Sequence, residues 1–163
     1  MVLDAGAFYA GTSFLSSNEQ MYTTSAVLKE VRHIKNQFYA LEALHDSGRL
    51  VIQDPEPNQI EIILRAAAKT GDRSSLSEAD VSILALAMQF RKPLVTDDYA
   101  VANVAAVLNI EVKPATVGKE IRETRRWIYY CSGCSKSFNS GETECPLCGN
   151  KLKRKFKKFR ADL

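Results

Sequence analysis

The chain has few of the residues that rival functions would require. Its first 130 residues contain no cysteine, and its 163 residues include only two histidines, His33 and His45. No hydrophobic run approaches the ~20 residues that cross a membrane, and no basic segment followed by a long hydrophobic one begins the chain, so we expect no signal peptide. The sequence therefore predicts a soluble, cytoplasmic protein without a membrane partner, in which neither histidine is catalytic.

Charge is unevenly distributed along the chain. Residues 119–163 contain 12 Lys and Arg against 5 Asp and Glu, a balance of +7, whereas residues 1–118 have a balance of −4. An acidic body with a basic end suggests a polyanionic partner for that end. The alternative is that the basic end only keeps the protein soluble, and charge alone leaves both interpretations open.

Short apolar runs alternate with helical patterns through the first two thirds of the chain. Strands are predicted at 1–4, 20–23, 50–52, 94–96 and 110–112, and helices at 8–15, 25–34, 36–46, 57–69, 76–90 and 98–108. Such alternation with short loops predicts an α/β fold, a three-layer α/β/α sandwich around a mostly parallel sheet. We expect this domain over 1–112, a charged connector over 113–127, a zinc ribbon over 128–150 and a basic tail over 151–163.

Acidic residues recur where predicted strands end and helices begin. Asp4, Asp97 and Asp98 follow apolar strands, Asp80 lies in the first turn of a helix, and Glu30 lies within one. Each fits a structural role when taken singly, as a helix cap or a solvated side chain. Because right-handed crossovers gather strand carboxyl ends at one edge, the set together predicts a site for one or two Mn²⁺ or Mg²⁺ ions. Such ions offset phosphate charge and activate water for phosphodiester cleavage.

All four cysteines lie close together near the basic end. Two Cys-x-x-Cys pairs are separated by ten residues, a spacing that predicts one tetrahedral Zn²⁺ site made of Cys131, Cys134, Cys145 and Cys148. Four thiolates close the coordination shell, so we expect this zinc to fold the module rather than to react. Iron of the rubredoxin type is an alternative, and a redox dithiol is a weaker one.

The residues around the cysteines suggest contact with RNA. Tyr129, Tyr130 and Phe138 could stack on bases or could pack the small core of the ribbon, and we expect at least one of the two tyrosines to be core. The tail interleaves basic and apolar residues, so it is either a binding arm or a strand or helix that extends the ribbon. Our predicted RNA-binding residues are Tyr129, Lys136, Lys151, Lys153, Arg154, Lys155, Lys157 and Lys158.

The ordered acidic motifs resemble those of PIN-domain nucleases over roughly residues 1–112. These motifs are Val2-Leu3-Asp4-Ala5, Glu30 within 24–30, Leu76-Ser77-Glu78-Ala79-Asp80 and Leu94-Val95-Thr96-Asp97-Asp98. The resemblance implies a metal-dependent endoribonuclease of single-stranded RNA. It assigns the metal ligands by position to Asp4, Glu30, Asp80 and Asp98, with Ser77, Thr96 and Asp97 in support. Its Thr-x-Asp pattern selects Asp98 over the adjacent Asp97.

The pairing of such a domain with a zinc ribbon and a basic end, together with the stretch 96–105, resembles the Nob family in its archaeal branch. That resemblance implies ribosome biogenesis: metal-activated water attack that matures the 3′ end of small-subunit ribosomal RNA within the immature small subunit. No DNA partner is expected. The rival hypotheses are a toxin-type PIN ribonuclease acting on another RNA such as tRNA, and a non-catalytic RNA-binding scaffold.

Overall fold

Two sheets organise the chain in a computed structural model that describes residues 1–11, 19–31, 35–116, 123–138 and 143–160. The elements are β1 (Val2–Leu3), α1 (Ala5–Tyr9), β2 (Met21–Thr23), α2 (Ser25–Val31), α3 (Lys35–Asp46), β3 (Leu50–Ile52), α4 (Pro57–Thr70), α5 (Glu78–Phe90), β4 (Leu94–Val95), α6 (Tyr99–Val107), β5 (Val112–Lys113), β6 (Glu123–Cys131), β7 (Ser137–Phe138) and β8 (Leu152–Arg160). A short 3₁₀ helix at Arg73–Ser75 lies between α4 and α5.

The larger sheet has the strand order β3-β2-β1-β4-β5, and each neighbouring pair is parallel. Helices flank it, as the predicted α/β/α sandwich requires, so this prediction of fold class is confirmed. The central strand β1 lies between β2 and β4, so the chain order turns back at this point of the sheet. Ligands of open α/β sheets bind beyond the carboxyl ends of the strands at such a point, which here is where Asp4 follows β1.

Local sequence signals set most of the helix ends. Helix α4 begins with Pro57, whose fixed φ suits a first helical position, and it ends at Gly71, which has a φ of 79°. Helix α1 begins at Ala5 rather than at the predicted Phe8, because Asp4 caps it. The rest of that predicted helix, beyond residue 11, lies outside the described residues, as does His33.

The core lies between the sheet and its helices. Its largest fully buried side chains come from β1, α1, β2, α2, β3, α4, α5 and β4, and include Leu3, Phe8, Met21, Val27, Leu50, Ile63, Ile83, Leu84 and Leu94. Helix α5 is buried along nearly its whole length from Ala79 to Ala87, which fits its almost uninterrupted apolar sequence. Among the described helices, none is both long enough and apolar enough to span a bilayer.

The smaller sheet is antiparallel and has the order β7-β6-β8. Strand β8 pairs with β6 from Cys131↔Leu152 to Glu123↔Arg160. The end of the predicted connector and most of the predicted basic tail are therefore strands of one ribbon, and the tail takes the strand alternative. Strand β6 also lies against α6 of the larger domain. Residues 117–122 and 161–163 of those two predicted segments lie outside the described residues.

Candidate active site and zinc centre

Asp4 is held at the carboxyl end of β1 by both of its oxygens. Oδ1 accepts the N–H of Ala5 at 2.6 Å, and Oδ2 accepts the hydroxyl of Thr96 at 2.6 Å. The Thr96 Oγ1 in turn accepts the N–H of Asp98 at 3.1 Å. The side chain of Asp4 is only 8% exposed. One buried hydroxyl thus joins the ends of the two central strands and sets the orientation of the Asp4 carboxylate.

Asp80 lies at the start of α5, where it forms a capping box with Ser77. Oδ2 of Asp80 accepts the N–H of Ser77 at 2.8 Å, and Oγ of Ser77 accepts the N–H of Asp80 at 3.1 Å. The structural role that the sequence suggested for Asp80 is therefore present. This capping box fixes the Asp80 carboxylate through Oδ2, and a capping carboxylate can still offer an oxygen to a metal ion.

Asp98 is the N-cap of α6. Its Oδ1 accepts the N–H of Ala100 at 2.6 Å and that of Val101 at 3.3 Å. The side chain is exposed. Like Asp80, Asp98 uses one oxygen to begin a helix at the carboxyl edge of the sheet.

The adjacent Asp97 turns to a different partner. Its carboxylate accepts the N–H of Ala115 at 3.0 Å and the hydroxyl of Thr116 at 2.6 Å. These bonds tie the end of β4 to the segment that follows β5. The structure therefore separates the two neighbouring acids, with Asp97 facing the chain beyond β5 and Asp98 capping α6.

Four carboxylates of the predicted site act on one another electrostatically. Burial raises the pKa of Asp4 to about 6, and the charges of Asp80 and Asp98 add to the increase. Burial also raises the pKa of Asp80, with a further contribution from Asp98. Burial and the charge of Asp80 raise the pKa of Glu30, which is exposed on α2.

This mutual repulsion is what a cation would relieve, and carboxylate oxygens are the donors that Mg²⁺ and Mn²⁺ prefer. The donor chemistry therefore fits a divalent ion. Among the described residues, however, only the cysteines converge as a group of three or more potential ligands. The four carboxylates interact electrostatically but do not form a complete coordination shell. Such an arrangement suits Mg²⁺ and Mn²⁺, which keep several water ligands when they bind to proteins.

The four cysteines come together in the ribbon, with all their sulfur atoms within 4.8 Å of one another. Sγ of Cys131 lies 3.3 Å from Sγ of Cys148, and Sγ of Cys134 lies 3.6 Å from Sγ of Cys145. All four are free thiols rather than disulfides. Four converging sulfurs are the ligand set of a structural zinc site, so the cluster fits zinc, and the rubredoxin-type alternative would use the same thiols.

The two Cys-x-x-Cys turns have the same backbone structure. The N–H of Cys131 donates to the carbonyl of Lys136, and the N–H of Ser135 donates back to the carbonyl of Cys131. Residues 145–150 repeat both bonds at equivalent positions. The residue four places after each first cysteine has a left-handed φ, 57° at Ser135 and 71° at Gly149. The ribbon thus presents two matching knuckles to one centre.

The first knuckle is prepared for the thiolate form. Sγ of Cys131 accepts the N–H of Cys134 at 3.4 Å and that of Gly133 at 3.3 Å. The bond from Cys134 is the largest influence that lowers the pKa of Cys131, to about 6. A Cβ at position 133 would meet the side-chain amide of Asn150, so a larger residue there would have to displace that exposed side chain. Zinc binds cysteine as the thiolate, so these contacts favour its binding.

The two tyrosines of β6 have different surroundings. Tyr129 packs against the ribbon core of Cys131, Cys145 and Leu152, which confirms that one tyrosine is core. Nζ of Lys155 lies 4.6 Å above the ring of Tyr130, so a cation covers one face of this partly buried side chain. Neighbouring strand residues face opposite sides, which accounts for the different surroundings of the two tyrosines.

The remaining predicted RNA contacts lie on or beside the ribbon. Exposed lysines are found at Lys136, Lys151, Lys153 and Lys155. For Arg154, Lys157 and Lys158 the structure describes the backbone, which lies in β8. His45 lies in the last turn of α3, and its Nδ1 is 3.2 Å from the carbonyl oxygen of Leu50 at the start of β3. That contact agrees with the structural role expected of this histidine.

Comparison with known proteins identifies the first domain. A family model described as the PIN domain of ribonuclease matches residues 1–90. Ribonuclease VapC1 of Thermoplasma acidophilum is 35% identical over 98% of this chain and 80% of its own. Endoribonuclease Nob1 of Pyrococcus abyssi is 34% identical over 94% of this chain and 91% of its own. Endoribonuclease Nob1 of Methanocaldococcus jannaschii is 37% identical over 98% of this chain and 79% of its own.

These alignments extend beyond the nuclease domain and include most of the cysteine ribbon. The match to a PIN domain agrees with the parallel sheet and its flanking helices. PIN nucleases act on RNA phosphodiester bonds and generally use divalent metals. The resemblance that the motifs indicated is therefore confirmed, and this chain belongs to the PIN-domain ribonucleases, with the archaeal Nob1 endoribonucleases among its near full-length relatives.

Proposed function

We propose that this protein is a divalent-metal-dependent endoribonuclease that cuts precursor ribosomal RNA at the 3′ end of the small-subunit RNA, within the immature small subunit in the cytoplasm. The observation that carries the proposal is the combination, in one chain, of a PIN acidic site with a basic zinc ribbon. Its near full-length likeness to proteins named Endoribonuclease Nob1 supports the same function. RNA is the expected partner, and DNA is not.

In this proposal Asp4, Glu30, Asp80 and Asp98 hold the Mn²⁺ or Mg²⁺. When bound, the ion offsets phosphate charge and activates water for attack. Asp98 is preferred to Asp97 because its charge acts on Asp4 and Asp80, whereas the Asp97 carboxylate is hydrogen-bonded to the chain after β5.

Neighbouring hydroxyls would keep the acids in position. Thr96 donates to Asp4 and accepts from the backbone of Asp98, and Ser77 locks Asp80 into the start of α5. These bonds fix the orientation of the Asp4 and Asp80 carboxylates, so little reorganisation would be needed during the reaction. Asp97 would support the same edge of the sheet by tying the end of β4 to Ala115 and Thr116.

The ribbon would hold RNA that flanks the cut. Zinc would fix the two knuckles and, through Cys131 and Leu152, the register in which β8 pairs with β6. The lysines of β8 and Lys136 would contact phosphates, and such contacts give salt-sensitive affinity with little sequence selection. Sequence selection would then come from the nuclease domain or from the assembled precursor.

A second candidate is a PIN ribonuclease with a different RNA target such as tRNA. The observation that favours it is the likeness to Ribonuclease VapC1, which is as strong as the likeness to the Nob1 proteins. A non-catalytic RNA-binding scaffold is the third, and it predicts binding without metal-dependent cleavage.

The test is cleavage of labelled RNA spanning the 3′ end of small-subunit ribosomal RNA, with and without added Mn²⁺, alongside a tRNA. We expect one Mn²⁺-dependent cut at the mature end, lost in Asp98→Asn and retained in Asp46→Asn, an exposed acid on α3 that serves as the matched control. Faster cleavage of tRNA would favour the second candidate. If the protein bound both the labelled RNA and immature small subunits but cleaved the RNA in neither, the result would favour the non-catalytic scaffold.

A further inference from the structure

A cavity of about 570 Å³ lies beside the acidic group, bounded by α2, α4 and the beginning of α5. One of its lining residues contacts an acid directly, and another is next to an acid in the sequence. Lys29 precedes Glu30 on α2, and Ser77 is the hydroxyl that caps α5 together with Asp80. Its volume is within the range of small-ligand sites in proteins. A ligand in this cavity would therefore lie next to whatever the acids hold.

The floor of the cavity is apolar. It is formed by Ala26 of α2, Ile60 and Leu64 of α4, and Leu76 and Val81 around the start of α5. All except Val81 are only partly buried, so apolar surface remains open to the cavity. A flat, weakly polar group would bury this surface, and a nucleobase is such a group.

The rim adds two cations, Lys29 and Arg73. Both are exposed, and neither has an ion pair or hydrogen bond to another described residue. The rim also includes two acids, but Asp54 already accepts the N–H of Ser25 at 2.9 Å and Glu78 lies in the first turn of α5. The two cations and two acids balance in charge, but no ion pair is seen between them among the described residues, so Lys29 and Arg73 can contact phosphates on either side of a base.

We propose that this cavity is a nucleotide subsite for single-stranded RNA, with an apolar floor that receives one unstacked base near the cut and with Lys29 and Arg73 at the neighbouring phosphates. This inference rests on the proposed RNA cleavage and adds a recognition element to it. Because a paired base could not enter, the subsite would select single-stranded RNA around the cleaved bond. It would also fix the distance between the recognised base and the cut.

The experiment measures binding, so that it does not depend on catalysis. The full-length zinc-loaded protein, with Ca²⁺ in place of Mn²⁺, is titrated against a short fluorescent single-stranded RNA. In a series of probes, one base at a time is replaced by an abasic site. We expect one abasic position to weaken binding by about tenfold, because that base would no longer bury the apolar floor. Ala26→Met places a larger side chain in the space proposed for the base. In this variant the abasic position should therefore weaken RNA binding much less than it does in wild type.

The cations are tested by salt dependence. Each of Lys29→Gln and Arg73→Gln should reduce the slope of log affinity against log salt by about 0.7, the value for one phosphate contact to a single strand. Lys69 is an exposed cation of α4 outside the cavity, so Lys69→Gln should leave the salt slope unchanged. Circular dichroism of each variant establishes that its helices are intact.

The outcomes separate this inference from the proposed function. Suppose that wild type cleaves RNA, but that no abasic position weakens binding or that Lys29→Gln and Arg73→Gln both keep the wild-type salt slope. The proposed subsite would then be refuted, and the proposed nuclease activity would not be affected. A wild-type protein that binds RNA without cleaving it would still report on the subsite through the same titrations. Absence of any RNA binding would refute both proposals.

Discussion

Replacing Asp4 by Asn should make the metal-free protein more stable at pH 8. The pKa of Asp4 is raised from 3.8 to about 6, mainly by burial, so the folded state holds an ionised carboxylate that it disfavours. A difference of about two pKa units corresponds to about 3 kcal/mol at ~1.36 kcal/mol per unit. Asn keeps an acceptor for the Ala5 N–H but presents an NH₂ group where Asp4 accepted the Thr96 hydroxyl, and the two changed hydrogen bonds together cost about 1–2 kcal/mol. The net expectation is a gain of about 1–2 kcal/mol.

The pH dependence follows from the direction of the shift. Between pH 4 and 6 the folded protein binds more protons at Asp4 than the unfolded chain does, so its stability falls as the pH rises through this window. Above pH 6 the penalty is complete, and below pH 4 it is absent. The advantage of Asp4→Asn over wild type should therefore be largest at pH 8 and should disappear at pH 4.

Urea denaturation followed by circular dichroism at 222 nm measures this difference, because the described helices all lie within residues 5–107. Both proteins are kept zinc-loaded and free of Mg²⁺ and Mn²⁺. Adding Mn²⁺ should stabilise wild type and should have little effect on the variant. If Asp4→Asn were less stable than wild type at pH 8 without Mn²⁺, the electrostatic account of Asp4 would be refuted.

Two further predictions concern the contacts around the acids and the ribbon. Thr96→Val removes the hydroxyl that lowers the pKa of Asp4. The acidic limb of the pH–rate profile for RNA cleavage should therefore move to higher pH in this variant. A lower kcat with the acidic limb at its wild-type pH would mean that Thr96 acts only by packing. Removing zinc should release β8 along with the knuckles, because Leu152 pairs with Cys131 at the centre. RNA affinity should then fall and lose much of its salt dependence while the signal at 222 nm is retained, and RNA affinity unchanged by chelation would contradict this role.

Sequence patterns were sufficient where a signal is local. The apolar stretch of α5 after Leu76-Ser77, the prolines before α4 and the spacing of the cysteines each specify an element within a few residues. The beginning of α1 was wrong because Ala5-Gly6-Ala7 has the composition of a turn, and only the cap made by Asp4 shows that a helix begins there. These signals identified the fold.

Features that depend on distant partners could not be predicted in the same way. Asp97 and Asp98 are equivalent as neighbours in sequence, and they are distinguished by bonds from Ala115 and Thr116, which lie near the end of the domain. The tail pairs with a strand about thirty residues earlier, so its composition alone left two alternatives. The cavity draws its lining from α2, α4, α5 and the loops between them, and no linear motif marks it.

Three of the proposed metal ligands also accept the first backbone amides of a helix or complete its capping box: Asp4 for α1, Asp80 for α5 and Asp98 for α6. Asparagine caps helices about as well as aspartate. A single exchange of oxygen for nitrogen could therefore end metal affinity while every helix still began at the same residue. Among relatives of this protein, loss of catalysis by drift would leave an intact fold, and an inactive descendant would be recognised only by the identity of these three side chains.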